Sequence, residues 1–197
     1  MIIYIFKSMA SDNVDENVFL ARVAEQAERF DDMVSFLERV LDAKGASVSA
    51  DERQLISVAF KNLISSKRAA CRTISAVEQN PKYAKFGTAM LGYKTKIENQ
   101  LIDDCKRIIA IINKKVLGKP CDGEAKAFFA KMVGDYYRYI SENAKDAVLE
   151  EAKTKALEAY EKAGACDLAP CNPTKLGLAL NFSVFHYEVM KNHSKAV

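Results

Sequence analysis

Apolar side chains recur every three to four positions along most of this chain, the spacing that lays a stripe along one face of an α-helix. Residues 15–44 read as two short helices. Val18, Leu20, Val23, Ala24 and Ala27 mark the first, Met33, Val34, Leu37, Val40 and Leu41 the second, and Gly45 closes the pair. Ser49 and Glu52 have the Ser-x-x-Glu spacing of a capping box, so a long helix is predicted from there to about Glu78. Pro81 pushes Asn80 out of helical geometry and predicts a break. A helix over about 83–117 follows, with Leu101, Ile102, Cys105, Ile108, Ile109, Ile112 and Val116 at core spacing. Gly118–Gly123 is a loop, and Asp122 is placed to cap a helix to about Asn143. Another helix covers about 144–164, and Asn172 before Pro173 starts the last. The prediction is all-α, an antiparallel assembly of about seven helices. No window alternates apolar with polar residues long enough for a sheet, and no repeat of fixed period appears.

Composition narrows the class. At 197 residues, 49% hydrophobic and 28% charged, the chain suits one soluble domain with a sizeable core. Residues 1–12 are expected to be an N-terminal extension and 13–197 the helical domain; Met9 is a plausible native start, and the opening apolar run is too short for a signal core. No stretch approaches the ~20 apolar residues of a membrane span, so no membrane partner is expected. A net charge of +3 is too small to argue for nucleic acid. Five cysteines, an odd number scattered through helical patterns, argue against a disulfide framework and for a reducing, cytosolic setting. Enzyme signatures are missing. His186 and His193 stand in no nucleophile or metal-ligand order and read as satisfied or exposed, Cys166 and Cys171 lack a second ligand pair, and there is no phosphate-loop glycine motif. No metal or cofactor is expected.

The candidate chemistry is one of recognition. At about 100° per residue, Gly177, Asn181, Val184 and Glu188 share a strip of the last helix, where an amide and a carboxylate replace aliphatics. Buried without partners, each would cost roughly 1–3 kcal/mol, so the strip is expected to meet something polar. On the 49–78 helix, Lys61, Arg68 and Arg72 point within about 20° of one direction, and the segment Lys61–Arg72 holds four cations, Lys67 included, and no acid. Taken alone, that is a solvated basic face. Arg68 and Arg72, repelling at i,i+4 spacing, call for an anion from another helix or from a ligand. The stretch Lys131–Tyr139 adds Arg138 and Tyr139, a guanidinium and a phenol suited to a phosphate's charge and acceptor oxygens.

These segments, with Ala24–Met33, Leu55–Asn62, Gly134–Tyr139 and Gly177–Phe185 in order and spacing, resemble the 14-3-3 proteins, which bind phosphoserine and phosphothreonine segments of other proteins. The resemblance implies a cup of antiparallel helices with one amphipathic groove per subunit. It implies that Lys61, Arg68, Arg138 and Tyr139 hold the phosphate, supported by Arg72 and Lys131, with Arg72 in ion pairs that hold Arg68 in place. Asn181 would bond the bound backbone, Leu180 and Val184 would form apolar wall, and Glu188 would face the groove. It further implies a homodimer, or a heterodimer with another family member, through Val23, Ala27 and Tyr93, with Asp32 pairing with Lys96 of the other subunit and Arg29 also at the interface. Client proteins phosphorylated on Ser or Thr would be the partners, in the cytoplasm and also the nucleus.

Departures from the pattern carry expectations of their own. The family continues for two further helices that supply the opposite groove wall, so the sequence ending at Val197 is expected to be part of a longer chain. Val133 replaces a usual lysine and is expected to remove a charge beside the phosphate. Cys71 stands where tryptophan is frequent and reads as core filler, and Gln100 replaces the glutamate that pairs with Arg29. The alternative is a tetratricopeptide-like scaffold without phosphate dependence; its repeat of about 34 residues would show as self-similarity, and none is found.

Overall fold

The computed structural model describes residues 13–196, so the expectations for residues 1–12 lie outside the described residues. Among the described residues seven α-helices follow one another: α1 (Val14–Gln26), α2 (Phe30–Lys44), α3 (Ala50–Glu78), α4 (Gly87–Ile112), α5 (Gly123–Ser141), α6 (Asp146–Gly164) and α7 (Pro173–Val184). There is no strand among the described residues. Each helix packs against the next, and short connections make neighbours antiparallel.

The capping signals act as their chemistry dictates. Ser49 accepts from the Glu52 amide at 3.2 Å while the Ser49 amide donates to the Glu52 carboxylate at 2.7 Å, and Lys44 neutralises that carboxylate at 2.5 Å. Asp122 caps α5 through the Ala125 amide at 2.7 Å, and Asn172 caps α7 with Pro173 in the first turn.

The predicted 83–117 helix is in fact three pieces. Pro81 has no N–H to offer and Asn80 caps the Lys82 amide, so residues Pro81–Phe86 wind as a tight 3₁₀ segment before α4. At the far end Asn113–Leu117 forms a wide π turn closed by the Gly118 amide on the Asn113 carbonyl at 2.8 Å. That turn accompanies full burial of Val116, while Lys115 meets Asp42 of α2 at 2.6 Å. The last helix also widens, at Phe185–Val189, one turn before the predicted polar strip ends.

The main core runs through α1–α6, and Cys71 lies in it as filler, 5% exposed. A second, smaller cluster of Ala130, Ala156, Tyr160, Ala163, Leu178 and Phe185 joins α5, α6 and α7. Helix α5 is wedged between the two, with 12 of its 19 residues buried. Its polar side chains therefore cannot simply face water, and that constraint builds the site described below.

His186 corrects the expectation of a satisfied or exposed histidine. It is buried against the Phe182 ring at 4.5 Å, and its Nδ1 has no hydrogen-bond partner among the described residues. Burial holds its pKa below the usual 6.5, Lys195 adds to that, and Glu161 opposes it. A lowered histidine pKa means that the unfolded chain takes up more protons below about pH 6.5, so this stabilisation is present above that value and lost as the pH falls. The thermal midpoint is expected to fall more between about pH 7 and 5 in the native chain than in His186→Phe; parallel profiles would refute this.

Candidate functional site

The polar centre of α5 is a carboxylate. Asp135, 8% exposed, accepts at one oxygen from the Tyr160 hydroxyl of α6 (2.8 Å) and from Asn181 Nδ2 of α7 (2.7 Å). Its other oxygen takes Lys131 Nζ, one turn earlier on α5, at 2.8 Å. Hydrogen bonds to a charged group contribute about 1.5–3 kcal/mol each, enough to offset the cost of burying this one.

One turn further along, Arg138 and Arg68 converge. Arg138 Nη1 donates to Glu142 Oε1 at 3.1 Å, and Arg68 Nη2 of α3 reaches both oxygens of the same carboxylate at 3.2 and 3.0 Å. Both guanidiniums lie over the Tyr139 ring, at 3.9 Å for Arg68 and 4.6 Å for Arg138. Burial raises the Tyr139 and Tyr160 pKa values, with Asp135 adding to both, so both phenols stay neutral donors. Burial disfavours the Arg138 charge, yet Tyr160, Tyr139 and Asp135 more than offset this and it stays cationic.

Lys61 stands beside these groups on α3, exposed and without an ion pair among the described residues. It shares a cavity of about 230 Å³ with Ser57, Lys131, Asp135, Tyr139 and Asn181. The structure thus joins Arg68 and Arg138 through Glu142 and the Tyr139 ring, and Tyr139 in turn lines the cavity of Lys61, Lys131 and Asn181, which neither arginine borders. Four cations (Lys61, Arg68, Lys131, Arg138) face two carboxylates (Asp135, Glu142), an excess that suits a ligand of about two negative charges.

Other expectations need correction. Arg72 makes no ion pair among the described residues; Arg68 is held by Glu142 instead, and Arg72, a turn further out, lines a separate cavity with Arg68, Ser75 and Gln79. Lys67 is neutralised by Asp104 at 2.8 Å. Val133 removes no charge from this site. At 100° per residue it points about half a turn away from Asp135 and Glu142, and it lines a cavity with Asn113, Tyr137 and Lys155 on the other face of α5. Of the four peptide-contact residues only Asn181 lines the 230 Å³ cavity. Leu180 is 66% exposed, Val184 half-buried and Glu188 exposed within the π turn.

Val23 on α1, Ala27 just past its end, and Tyr93 and Lys96 on α4 are exposed. Arg29 and Asp32 pair with each other at 2.8 Å within the chain. Sequence reasoning missed the two organising acids and Tyr160. Asp135 and Glu142 stand at i+4 from Lys131 and Arg138, a spacing that marks helix ion pairs, whereas nothing local singles out Tyr160. No helix among the described residues is long and apolar enough to cross a membrane.

The described residues thus form an all-α assembly carrying a basic, tyrosine-backed site flanked by an asparagine. A family model described as 14-3-3 protein matches residues 20–197. The chain is 40% identical over 188 residues to the 14-3-3-like protein RA215 of Solanum tuberosum, covering 92% of this chain and 74% of that one. It is 41% identical over 195 residues to 14-3-3 protein 3 of Entamoeba histolytica, covering 94% and 80%. The chain belongs to the 14-3-3 family. In general, members are phospho-binding adaptors rather than enzymes and form dimers.

Gly134 is the site's tightest packing point: a Cβ there would lie 2.7 Å from the Tyr160 ring. Gly134→Ala is expected to displace Tyr160 from Asp135 and lower stability by about 1–3 kcal/mol, as overpacked cores do. Chemical denaturation checks this, and an unchanged midpoint would contradict the packing described.

Proposed function

We propose that this chain binds protein segments phosphorylated on serine or threonine, with Lys61, Arg68, Arg138 and Tyr139 receiving the phosphate. The observation that carries the reading is the sharing of Glu142 by Arg68 and Arg138, 70 positions apart in sequence, over the Tyr139 ring, whose other neighbour across the cavity is Lys61. Two guanidiniums held side by side offer a planar, multidentate surface to phosphate oxygens, and little further ordering is needed when the ligand arrives. Lys61 adds an uncompensated charge and Tyr139 a neutral hydroxyl. Asn181 then engages the backbone of the bound segment, and Leu180 and Val184 offer apolar contact, with Glu188 at the edge. Lys131, bound to Asp135, supports the charge balance around the pocket.

The exposed apolar residues of α1 and α4, Phe19 (64%), Val23 (48%) and Tyr93 (60%), support pairing with a second copy or with another family member. Ala27 caps the end of α1, and Arg29, Asp32 and Lys96 supply polar contacts at the rim. The cellular setting that fits five free thiols is the reducing cytoplasm or nucleus.

Fluorescence anisotropy with one Ser/Thr peptide in phosphorylated and unphosphorylated forms tests the reading. The phosphorylated form is expected to bind far more tightly, and Lys61→Glu to weaken it by about 30-fold or more, the effect of losing a close charge partner. Circular dichroism should be unchanged, because Lys61 is exposed. Equal binding of both peptides would favour the phosphate-independent scaffold instead. For the dimer, sedimentation at micromolar concentration is expected to show a two-chain species; monomer alone would count against the interface.

A further inference from the structure

We infer that the back of α5 carries a second binding site, separate from the phosphate pocket, for a small amphipathic carboxylate with an apolar stem and a single acid group. Ala130, Val133 and Tyr137 follow one another at i+3 and i+4 spacing and lie within about 60° of one direction, about half a turn round α5 from Asp135. Helix α6 faces them with a stripe of its own, Lys155, Glu158, Ala159 and Lys162. The end of α4 closes the gap, because the π turn Asn113–Leu117 brings Asn113 and Leu117 to the same opening. Together these side chains line a cavity of about 310 Å³.

The lining divides by depth. Ala130, Val133 and Ala159 are 1%, 5% and 8% exposed, and Leu117 packs against both core clusters, so the floor is hydrocarbon. A lysine at position 133 would run a charged chain across that floor; valine leaves it apolar. The polar groups stand at the mouth. Lys155 pairs with Glu158 at 3.0 Å, whereas Lys162 has no acid within ion-pair distance among the described residues. Two cations against one carboxylate leave an excess of one positive charge, the complement of a monoanion. Burial raises the Tyr137 pKa, Lys155 opposes this, and Glu151, outside the lining, and Glu158 add to it, so the hydroxyl stays a neutral donor. Asn113 contributes an exposed amide. Inorganic phosphate would leave the hydrocarbon floor uncovered, and a plain hydrocarbon would make no use of Lys162. The volume, near the lower end of the roughly 300–1,000 Å³ of ligand pockets, suits a small molecule.

Titration of the whole chain with hexanoate tests this, followed by NMR of the Ala130, Val133 and Ala159 methyl groups. These are expected to shift together and saturably, with magnetisation transfer from the terminal methyl of hexanoate to Val133. Hexan-1-ol, the same stem without the charge, is expected to bind about threefold more weakly, the weight of an exposed ion pair. In Lys162→Gln the acid and the alcohol are expected to bind alike, within about 1.5-fold. Ala159→Leu, whose added carbons grow into the open cavity, is expected to abolish the hexanoate shifts while phosphopeptide affinity, which depends on the other face of α5, changes less than about twofold.

Equal affinity for acid and alcohol in the native chain, shifts that survive Ala159→Leu, or hexanoate perturbing the surroundings of Lys61 and Arg68 instead, each overturns the inference. Should Ala159→Leu fail to fold, the exposed Lys162→Gln decides: an acid preference that persists there contradicts the assignment. Phosphopeptide binding is read separately, so the loss of either reading leaves the other standing.

Discussion

One buried carboxylate holds the functional half of this molecule together. Asp135 lies in the middle of a helix enclosed on both faces, where a lone negative charge would be untenable without donors. It has three, each from a different position: Lys131 on its own helix, Tyr160 on α6 and Asn181 on α7. Satisfying the charge thus requires α5, α6 and α7 to meet in one register. The requirement extends to the glycine beside it, because only a residue without a Cβ lets the Tyr160 ring approach. Fold and site are consequently one constraint: the contacts that make Asp135 tolerable are also those that aim Asn181 and place Lys131.

A second carboxylate performs a related service for the arginines. Glu142 occupies Arg68 and Arg138 together, and Tyr139 lies under both. Like charges brought so close would otherwise repel, so the acid is what permits a dense cationic surface to exist before any ligand arrives. The excess positive charge resides chiefly on Lys61, exposed at the cavity edge. On the proposed reading, a phosphate entering there would meet pre-aligned donors and one uncompensated cation. The family relation and this local electrostatics point the same way by independent routes.

The helices were legible in the sequence because their ends carry local chemistry: the Ser49–Glu52 box, Asp122, and Asn172 with Pro173 act through neighbours within four residues. The π turns at Asn113–Leu117 and Phe185–Val189 were not legible, since nothing local marks a widened turn and each is accompanied by burial of Val116 or Phe185 in the tertiary structure. The cations of the site were readable as a pattern on α3 and α5. Their pairing was not, because Arg68 reaches an acid 74 residues away and Arg72, at matching helical phase, reaches none among the described residues. Val133 shows the converse error. The family pattern suggested a charge lost beside the phosphate, while helical phase put Val133 on the far side of α5.

The central claim is that Lys61, Arg68 and Arg138 meet a doubly charged phosphate. The most direct measurement is a ³¹P NMR titration of a phosphoserine peptide, free and bound, following its second ionisation, which lies near pH 6 for the free group. Contact with this cationic cluster favours the dianion, so the account predicts that the bound phosphate titrates at least about one unit lower than the free one. A bound peptide whose phosphate titrates at the free value would show that the phosphate stays in solvent, and the account would be wrong.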